Sequence, residues 1–200
     1  GTVVMRASGP AAALLVAERT VLDFLMRLSG VATRVRTFAD ALSGTATRIL
    51  DTRKTTPGLR VLEKYAVRLG GGHNHRMGLA GGVLVKNNHL AVEDDLGSLV
   101  RMARERAPVL SRIEVEVRSL QEARAAVDAG ADMLLLDHMN DIEVTAVVAL
   151  CRGRCKTEAS GDMTLTSAIR MAELGVDFVS AGSLTRDAAW LDFGMYIRRA

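Results

Sequence analysis

Leu50-Asp51-Thr52-Arg53-Lys54-Thr55-Thr56-Pro57-Gly58 is the segment in which an apolar strand gives way to a polar loop. Arg48-Ile49-Leu50 predicts the end of a short buried strand, Pro57-Gly58 favours a turn, and helical spacing resumes at Leu59. The adjacent cations Arg53 and Lys54 therefore lie where a strand becomes a loop. In α/β proteins this edge binds ligands, so the segment predicts a site for an anion.

The chain outward from this segment repeats the order of a short apolar run followed by a helical segment. The predicted strand and helix pairs are 49–50 with 59–69, 83–85 with 94–106, 113–117 with 120–129, 133–136 with 141–150, 156–159 with 164–174, and 178–181 with a last segment. Such alternation predicts parallel strands joined by crossover helices. Polar residues recur at the end of nearly every strand, which favours a barrel over an open sheet.

The two ends of the chain lie outside this repeat. Val3 to Met5 predicts a strand, and helices are predicted from Ala11 to Leu28 and from Val31 to Leu42, with a break at Ser29-Gly30. The alternating run from Leu191 to Ile197 predicts a final strand that could pair with residues 3–5. A first strand with no earlier partner suggests that a preceding segment completes this region.

Composition narrows the class of protein. The 200 residues fit one domain of ordinary size, and 48% hydrophobic residues suffice for a core. No apolar run approaches the roughly 20 residues of a membrane-spanning helix and no signal peptide begins the chain, so we expect a cytoplasmic protein without a membrane partner. A net charge of +3 and 4% aromatic residues argue against nucleic acid. Cys151 and Cys155 are interpreted as reduced thiols.

The polar residues at the predicted strand ends form an asymmetric set. Cations dominate the first two strands and carboxylates the next three, which predicts an anionic ligand on one side and a divalent metal or a cationic transition state on the other. The members are Asp51, Arg53, Lys54, Lys86, Asn87, Asn88, His89, Glu114, Glu116, Asp137, His138, Glu158, Ser160, Gly182 and Ser183. No hydrolase or dinucleotide-binding motif occurs, so electrostatics and positioning are expected to carry the chemistry.

Several longer strings together resemble one family, quinolinate phosphoribosyltransferase, the carboxylating nicotinate-nucleotide pyrophosphorylase. They are Glu18-Arg19-Thr20, Leu28-Ser29-Gly30-Val31-Ala32-Thr33, Asp51 to Gly58, Lys64-Tyr65-Ala66-Val67-Arg68, Gly70-Gly71-Gly72-His73-Asn74-His75-Arg76 and Lys86-Asn87-Asn88-His89. The resemblance runs along essentially the whole chain.

The resemblance implies transfer of a phosphoribosyl group to quinolinate with decarboxylation, which gives nicotinate mononucleotide, CO2 and pyrophosphate in NAD biosynthesis, with Mg²⁺. It implies an atypical open α/β barrel over residues 31–190 and a remnant of an N-terminal α/β-sandwich domain over residues 1–30. Residues 191–200 would be a strand returning to that domain. It also implies a homodimer or larger homo-oligomer with shared active sites.

The resemblance also assigns roles to individual residues. Arg53, His75, Arg76 and Lys86 would hold the quinolinate carboxylates, with Thr52 beside them, and Arg19 would reach into a neighbouring subunit's site. Lys54, Glu116 and Asp137 would be catalytic, with Lys54 near the pyrophosphate and the two carboxylates near the ribose and, indirectly, the metal. Residues near the 5′-phosphate would be Ser160, Gly161, Gly182, Ser183 and Arg186.

Several residues depart from the family's pattern, and Gly81 is one of them, because it stands where the family usually has aspartate. Asn87 and Asp162 stand where the family usually has aspartate and glycine, Arg118 stands where an acid is common, and Arg186 stands where histidine is usual. These departures and the missing preceding segment leave two alternatives open. One is a paralogous pyrophosphorylase with another acceptor, and the other is a non-catalytic, truncated homologue that binds phosphate.

Overall fold

The computed structural model describes residues 1–90 and 95–198. Its strands are β1 (Arg48–Leu50), β2 (Val83–Val85), β3 (Ile113–Val117), β4 (Met133–Asp137), β5 (Lys156–Ser160) and β6 (Phe178–Ser180). Its helices are α1 (Ala11–Ala41), α2 (Arg60–Leu69), α3 (Asn87–Leu90), α4 (Leu96–Arg106), α5 (Leu120–Asp128), α6 (Asp141–Cys151), α7 (Leu165–Glu173) and α8 (Ser183–Arg186). The predicted alternation of strands and helices is confirmed. The predicted helix start at residue 94 lies outside the described residues.

The strands form one parallel sheet in the order β1-β6-β5-β4-β3-β2. β1 and β2 end this order, so the α/β barrel is open between them. The outer edge of β1 is instead covered by the loop after α2, because His73 N donates to Ile49 O at 2.9 Å and Asp51 N donates to His73 O at 3.1 Å. The glycine-rich loop is thereby held beside the first strand.

The core lies between the sheet and the helices. Val115, Leu134, Ala159 and Val179 from four neighbouring strands are fully buried or nearly so. Their side chains belong to one cluster with the apolar sides of the helices, including Val35 of α1. Because β4 is buried on both faces, its sequence Met-Leu-Leu-Leu is apolar throughout. Within the described part of the chain, no helix combines the length and apolar character that a bilayer crossing requires.

The first helix differs from the prediction. Residues 11–41 form one helix of 31 residues, so the break expected at Ser29-Gly30 was wrong. Gly30 instead allows another segment to approach, since a Cβ atom there would lie 1.8 Å from the Ala189 carbonyl oxygen. In a sequence, a glycine within a helical pattern can mark either the end of the helix or a close contact with another segment. At Gly30 the structure shows the close contact and no helix end. The helix also crosses the domain boundary predicted after residue 30, and that division stays a prediction.

The two terminal strands were also predicted wrongly. Residues 1–10 are exposed and contain no strand, and residues 191–198 contain none either. The second segment runs beside α1, where Leu191 N donates to Met26 O at 3.2 Å. Alternating apolar residues therefore did not form a strand, because no neighbouring strand in the described residues offers a ladder of backbone groups.

Replacement of Gly30 by alanine tests the close contact between α1 and residues 189–190. In a helix with free space at this position, alanine would be more stable than glycine by about 1 kcal/mol. We expect Gly30→Ala instead to lower the free energy of unfolding by about 2 kcal/mol, since the added methyl group collides with backbone. Urea denaturation measures the difference, and Ser29→Ala, which removes an atom one residue away, is the control. A Gly30→Ala protein as stable as the original would contradict the contact.

Candidate active site

A cleft of about 830 Å³ lies at the carboxyl ends of the strands. All of the residues to which the resemblance assigns a role line this cleft except Arg19: Thr52, Arg53, Lys54, His75, Arg76, Lys86, Glu116, Asp137, Ser160, Gly161, Gly182, Ser183 and Arg186. Five members of the strand-end set do not line it: Asp51, Asn87, Asn88, His89 and Glu114. Arg19 lies on α1 outside the cleft, with its side chain 71% exposed and 3.7 Å from Asp23. The barrel thus brings together residues from every strand end, as parallel strands require.

The loop after β1 is fixed by Glu63, which is fully buried on α2. One carboxylate oxygen accepts from Arg27 Nε at 3.0 Å and from Thr56 Oγ1 at 2.7 Å, and the other accepts from Thr56 N at 3.0 Å. Arg27 also donates to the carbonyl oxygens of Ala188, at 3.0 Å, and Thr185. One buried ion pair therefore joins α1, the Arg53-Lys54 loop and the chain after α8.

The next residue, Lys64, fixes the second loop of the site. Its Nζ atom donates to Asp51 Oδ1 at 2.5 Å and to the His75 carbonyl oxygen at 2.9 Å. Asp51, also fully buried, accepts from Asn74 Nδ2 at 2.6 Å and from His75 N at 2.8 Å. Burial raises the pKa of Asp51, and these hydrogen bonds oppose the rise. Sequence reasoning quoted Lys64 in a motif without assigning it a role.

The basic side of the cleft is formed by Arg53, Lys54, Arg76 and Lys86. Arg76 donates to the Gly82 carbonyl oxygen at 2.8 Å, which holds its guanidinium against the strand. Burial and then the charge of Arg53 lower the pKa of Arg76. The two guanidinium groups repel each other, and an anionic ligand bound between them would relieve that repulsion.

The acidic side of the cleft is formed by Glu116 and Asp137, and both carboxylates already have donors. Glu116 accepts from Lys86 Nζ at 3.1 Å and from Asn87 Nδ2 at 2.7 Å. Asp137 is 3.1 Å from both Nε and Nη2 of Arg118 and 2.9 Å from Nδ1 of His138. Asn87 and Arg118, two of the departures noted in the sequence, thus each supply a donor to one site carboxylate.

The ends of β5 and β6 form the third side of the cleft. Gly161 has φ 102°, and a Cβ there would lie 2.7 Å from the His138 ring. A Cβ at Gly182 would lie 2.7 Å from Lys54 Cδ, so both glycines permit close approach. Asp162 has φ 27° and a side chain that is 94% exposed. Its carboxylate faces solvent at the rim rather than packing into the turn.

His75 lies at the floor of the cleft between two buried carboxylates. Its Nε2 atom is 2.9 Å from Glu114 Oε2 and 3.6 Å from Glu158 Oε2. Burial lowers the pKa of His75, but the hydrogen bond to Glu114 and the charges of both carboxylates outweigh it and raise the pKa. Arg76 N donates to Nδ1 at 2.7 Å, which opposes a second ring proton and favours Nε2 as the donor to Glu114.

This cluster is close enough to be considered as a metal site. Single ligand atoms of His75, Glu114 and Glu158 all lie within 4.8 Å of one another. The 2.9 Å contact between Nε2 and Glu114 is a hydrogen bond, whereas two ligands of one ion, each about 2.1 Å from it, usually lie more than 3 Å apart. The cluster therefore fits a shared proton better than an ion.

Sequence reasoning missed several residues that line the cleft. Thr33, Arg34, Thr37 and Phe38 come from α1, and Asp187 comes from the chain after α8. Their spacing on α1, i to i+4, marks one helix face but does not distinguish a cleft wall from an ordinary core face. Glu158 and His138 were noted at strand ends, yet neither was included among the predicted site residues.

Comparisons with known proteins identify the family of this chain. A family model described as quinolinate phosphoribosyl transferase, C-terminal domain, matches residues 31–196. A probable nicotinate-nucleotide pyrophosphorylase (carboxylating) from Bacillus subtilis is 44% identical over 195 residues, which cover 98% of this chain and 68% of that protein. A protein with the same description from Synechocystis is 41% identical over 99% of this chain and 68% of its own length.

Solved structures show the same relationship in three dimensions. NadC from Streptococcus pyogenes superposes with a TM-score of 0.90 at 42% identity, over 94% of this chain and 66% of that chain. A nicotinate-nucleotide pyrophosphorylase from Ehrlichia chaffeensis superposes with a TM-score of 0.86 at 36% identity, over 91% of this chain and 66% of that chain. The chain spans about two thirds of these relatives. It belongs to the quinolinate phosphoribosyltransferase family.

Proposed function

We propose that this protein is a pentosyltransferase of pyridine nucleotide biosynthesis. It would transfer the phosphoribosyl group of phosphoribosyl pyrophosphate to quinolinate and release pyrophosphate, CO2 and nicotinate mononucleotide. The names of the relatives give the reaction class. The observation that carries the proposal is that one cavity is lined both by the cations Arg53 and Arg76 and by the carboxylates Glu116 and Asp137.

The basic side suits the acceptor. Quinolinate has two adjacent carboxylates, and Arg53, Arg76 and Lys86 can pair with a dianion. These contacts would orient the ring so that its nitrogen faces the anomeric carbon of the ribose. Two anions held in one cleft repel each other, and prearranged cations offset that repulsion.

The acidic side suits the ribose. As the bond to pyrophosphate breaks, positive charge develops on the ring oxygen and anomeric carbon, and carboxylates at Glu116 and Asp137 would stabilise it. Lys54 lies beside Gly182 and is positioned to pair with the departing pyrophosphate. The ring nitrogen supplies the electron pair for the new bond, and the pyrophosphate oxygen keeps the pair from the broken one.

Decarboxylation follows from the new bond. Once its nitrogen is joined to ribose, the ring carries a positive charge next to the carbon that bears one carboxylate. The bond to that carboxylate breaks, its electron pair stays on the ring carbon, and CO2 leaves. The adjacent ring charge and the cations of the cleft stabilise that electron pair until a proton replaces it.

Mg²⁺ is proposed as the metal ion, held indirectly by Glu116 and Asp137. Carboxylate oxygens are the donors that Mg²⁺ prefers. Because both side chains already accept hydrogen bonds from Lys86, Asn87, Arg118 and His138, they fit contact through water better than direct coordination. When bound with pyrophosphate, the ion would neutralise charge on the leaving group.

An assembly of two or more copies with shared sites stays a prediction, as does a cytoplasmic location. Arg19 is the residue predicted to reach a neighbouring site, and it lies outside this chain's own cleft. Under the proposal its exposed guanidinium would complete the basic side of another copy.

Arg53→Ala tests the proposed reaction. With quinolinate, phosphoribosyl pyrophosphate and Mg²⁺, the original chain should release pyrophosphate and form nicotinate mononucleotide. We expect Arg53→Ala to lower kcat/KM by at least about 100-fold, because a charge-assisted pair with a substrate carboxylate is lost. Arg124→Ala, an exposed arginine on α5 away from the cleft, is the control.

Three results would argue against the proposal. Normal turnover by Arg53→Ala would remove the site assignment. Binding of phosphoribosyl pyrophosphate without quinolinate would favour a paralogous enzyme with another acceptor. Binding of both substrates by a folded chain without pyrophosphate release would favour a non-catalytic homologue.

Removal of divalent ions tests the proposed Mg²⁺. We expect EDTA to abolish pyrophosphate release and added Mg²⁺ to restore it, since without the ion the negative charge on the departing pyrophosphate would not be neutralised. Quinolinate binding measured by calorimetry should persist in EDTA, because side chains alone hold it in this proposal. Full turnover in EDTA would contradict the role of the metal.

Asp162→Asn tests the third side of the cleft as a phosphate site. Removing one exposed negative charge near a phosphate should strengthen binding of that phosphate by at most about 1 kcal/mol in water. The KM for phosphoribosyl pyrophosphate should therefore fall by up to about fivefold. Glu105→Gln removes the same charge from an exposed position on α4 and serves as the control. An unchanged KM in Asp162→Asn would place the phosphate elsewhere.

A further inference from the structure

Arg34 is a cation of the cleft to which the proposed reaction assigns no role. It lies on α1, on the helix face whose Gly30, Thr33 and Thr37 also line the cleft. The residue is half-buried, and its Nε atom is buried without a hydrogen-bond partner among the described residues. A guanidinium group that has lost water at Nε and gained no partner is stabilised by an anion at its terminal nitrogens.

The arginines and lysines that line the cleft fall into two groups. Arg76 donates to the Gly82 carbonyl oxygen at 2.8 Å, Lys86 pairs with Glu116, and Arg186 pairs with Asp187. Within the described ranges, the side chains of the other three form neither a hydrogen bond nor an ion pair: Arg34, Arg53 and Lys54. The proposed reaction places substrate anions at Arg53 and Lys54. Arg34 is therefore a third cation that is available to an anionic ligand.

Asp187 shows which side of the cleft Arg34 serves. Asp187 directly follows α8 and accepts from Arg186 Nε at 2.7 Å and from Nη2 at 2.9 Å. The hydrogen bonds from Arg186, and to a smaller extent the charge of Arg34, lower the pKa of Asp187. α1 also packs against α7 and α8. Arg34 and Arg186 therefore act on the same carboxylate from two helices, at the third side of the cleft.

A 5′-phosphate at this side needs more positive charge than Arg186 alone provides. A phosphate group carries between about one and a half and two negative charges at neutral pH. Arg186 is already paired with Asp187, and Asp162 adds a second carboxylate at the rim. Lys54 is assigned to the pyrophosphate. A second guanidinium group would offset this excess of negative charge, and guanidinium suits phosphate because its donors can pair with two oxygens at once.

We propose that Arg34 is a substrate-binding residue whose guanidinium group, together with that of Arg186, binds the 5′-phosphate of phosphoribosyl pyrophosphate. This inference rests on the proposed function and adds α1 to the phosphate site. Arg34 would contact the phosphate and not the reacting atoms. Its loss should therefore raise the KM for this substrate and leave kcat nearly unchanged, as expected for a contact that is equally strong before and during the chemical step.

Binding of two fragments of the substrate tests the assignment. Ribose 5-phosphate carries only the 5′-phosphate, whereas inorganic pyrophosphate represents the leaving group. We expect Arg34→Gln, measured by calorimetry, to weaken ribose 5-phosphate about tenfold, because a hydrogen bond between two charged groups is lost. Its affinity for pyrophosphate and quinolinate should stay the same, and its KM for phosphoribosyl pyrophosphate should rise about tenfold.

Two further variants complete the experiment. Arg36→Gln is the control on the same helix, since Arg36 is 55% exposed, pairs with Asp40 and does not line the cleft. It should change none of these constants. Arg34→Lys keeps the charge and loses the planar pair of donors, so it should bind ribose 5-phosphate about threefold more weakly. Circular dichroism checks the folding of each variant, and Arg34→Lys decides the question if Arg34→Gln does not fold.

The outcomes separate this inference from the proposed function. An unchanged Kd for ribose 5-phosphate in the folded Arg34 variants would overturn the role of Arg34. Equal weakening of ribose 5-phosphate and pyrophosphate would overturn it too, because the effect would then not be specific to the 5′-phosphate. Should the original chain bind ribose 5-phosphate without forming nicotinate mononucleotide, the proposed function fails and the binding data still decide the role of Arg34. An original chain that binds neither ribose 5-phosphate nor phosphoribosyl pyrophosphate would overturn both.

Discussion

Two consecutive buried charges on α2, Glu63 and Lys64, hold the site together. Glu63 pairs with Arg27 of α1 and fixes the loop after β1, whereas Lys64 pairs with Asp51 and fixes the loop before β2. A buried ion pair often contributes little net stability, because desolvation of both ions offsets their attraction. These pairs instead fix the positions of the loops, since each ion also binds the backbone of a loop that carries cations of the cleft.

The open barrel gives these loops their place. β1 lacks β2 as a neighbour, and the loop through His73 covers its edge instead. A closed barrel would satisfy that edge with another strand. Here the edge is satisfied by a loop whose next residues, His75 and Arg76, enter the cleft. The gap in the sheet and the basic side of the cleft therefore have the same structural origin.

Two charged pairs of the cleft are formed before any ligand arrives. Lys86 pairs with Glu116 and Arg118 pairs with Asp137 across neighbouring strand ends. Such pairing keeps a cluster of like charges from opposing the fold. Glu158 differs from these residues because it is fully buried next to a second carboxyl group, that of Glu114.

The sequence by itself determined the order of strands and helices, the parallel sheet and which strand ends carry charge, because period, turn residues and local charge are encoded within short windows. It misjudged Gly30, residues 3–5 and residues 191–197, since a glycine inside a helix and an alternating apolar run acquire meaning only from what packs beside them. Only the tertiary structure decided that Glu158 is buried beside Glu114 and His75 and that Glu63 and Lys64 anchor the loops, because burial and pairing depend on residues far apart in the chain.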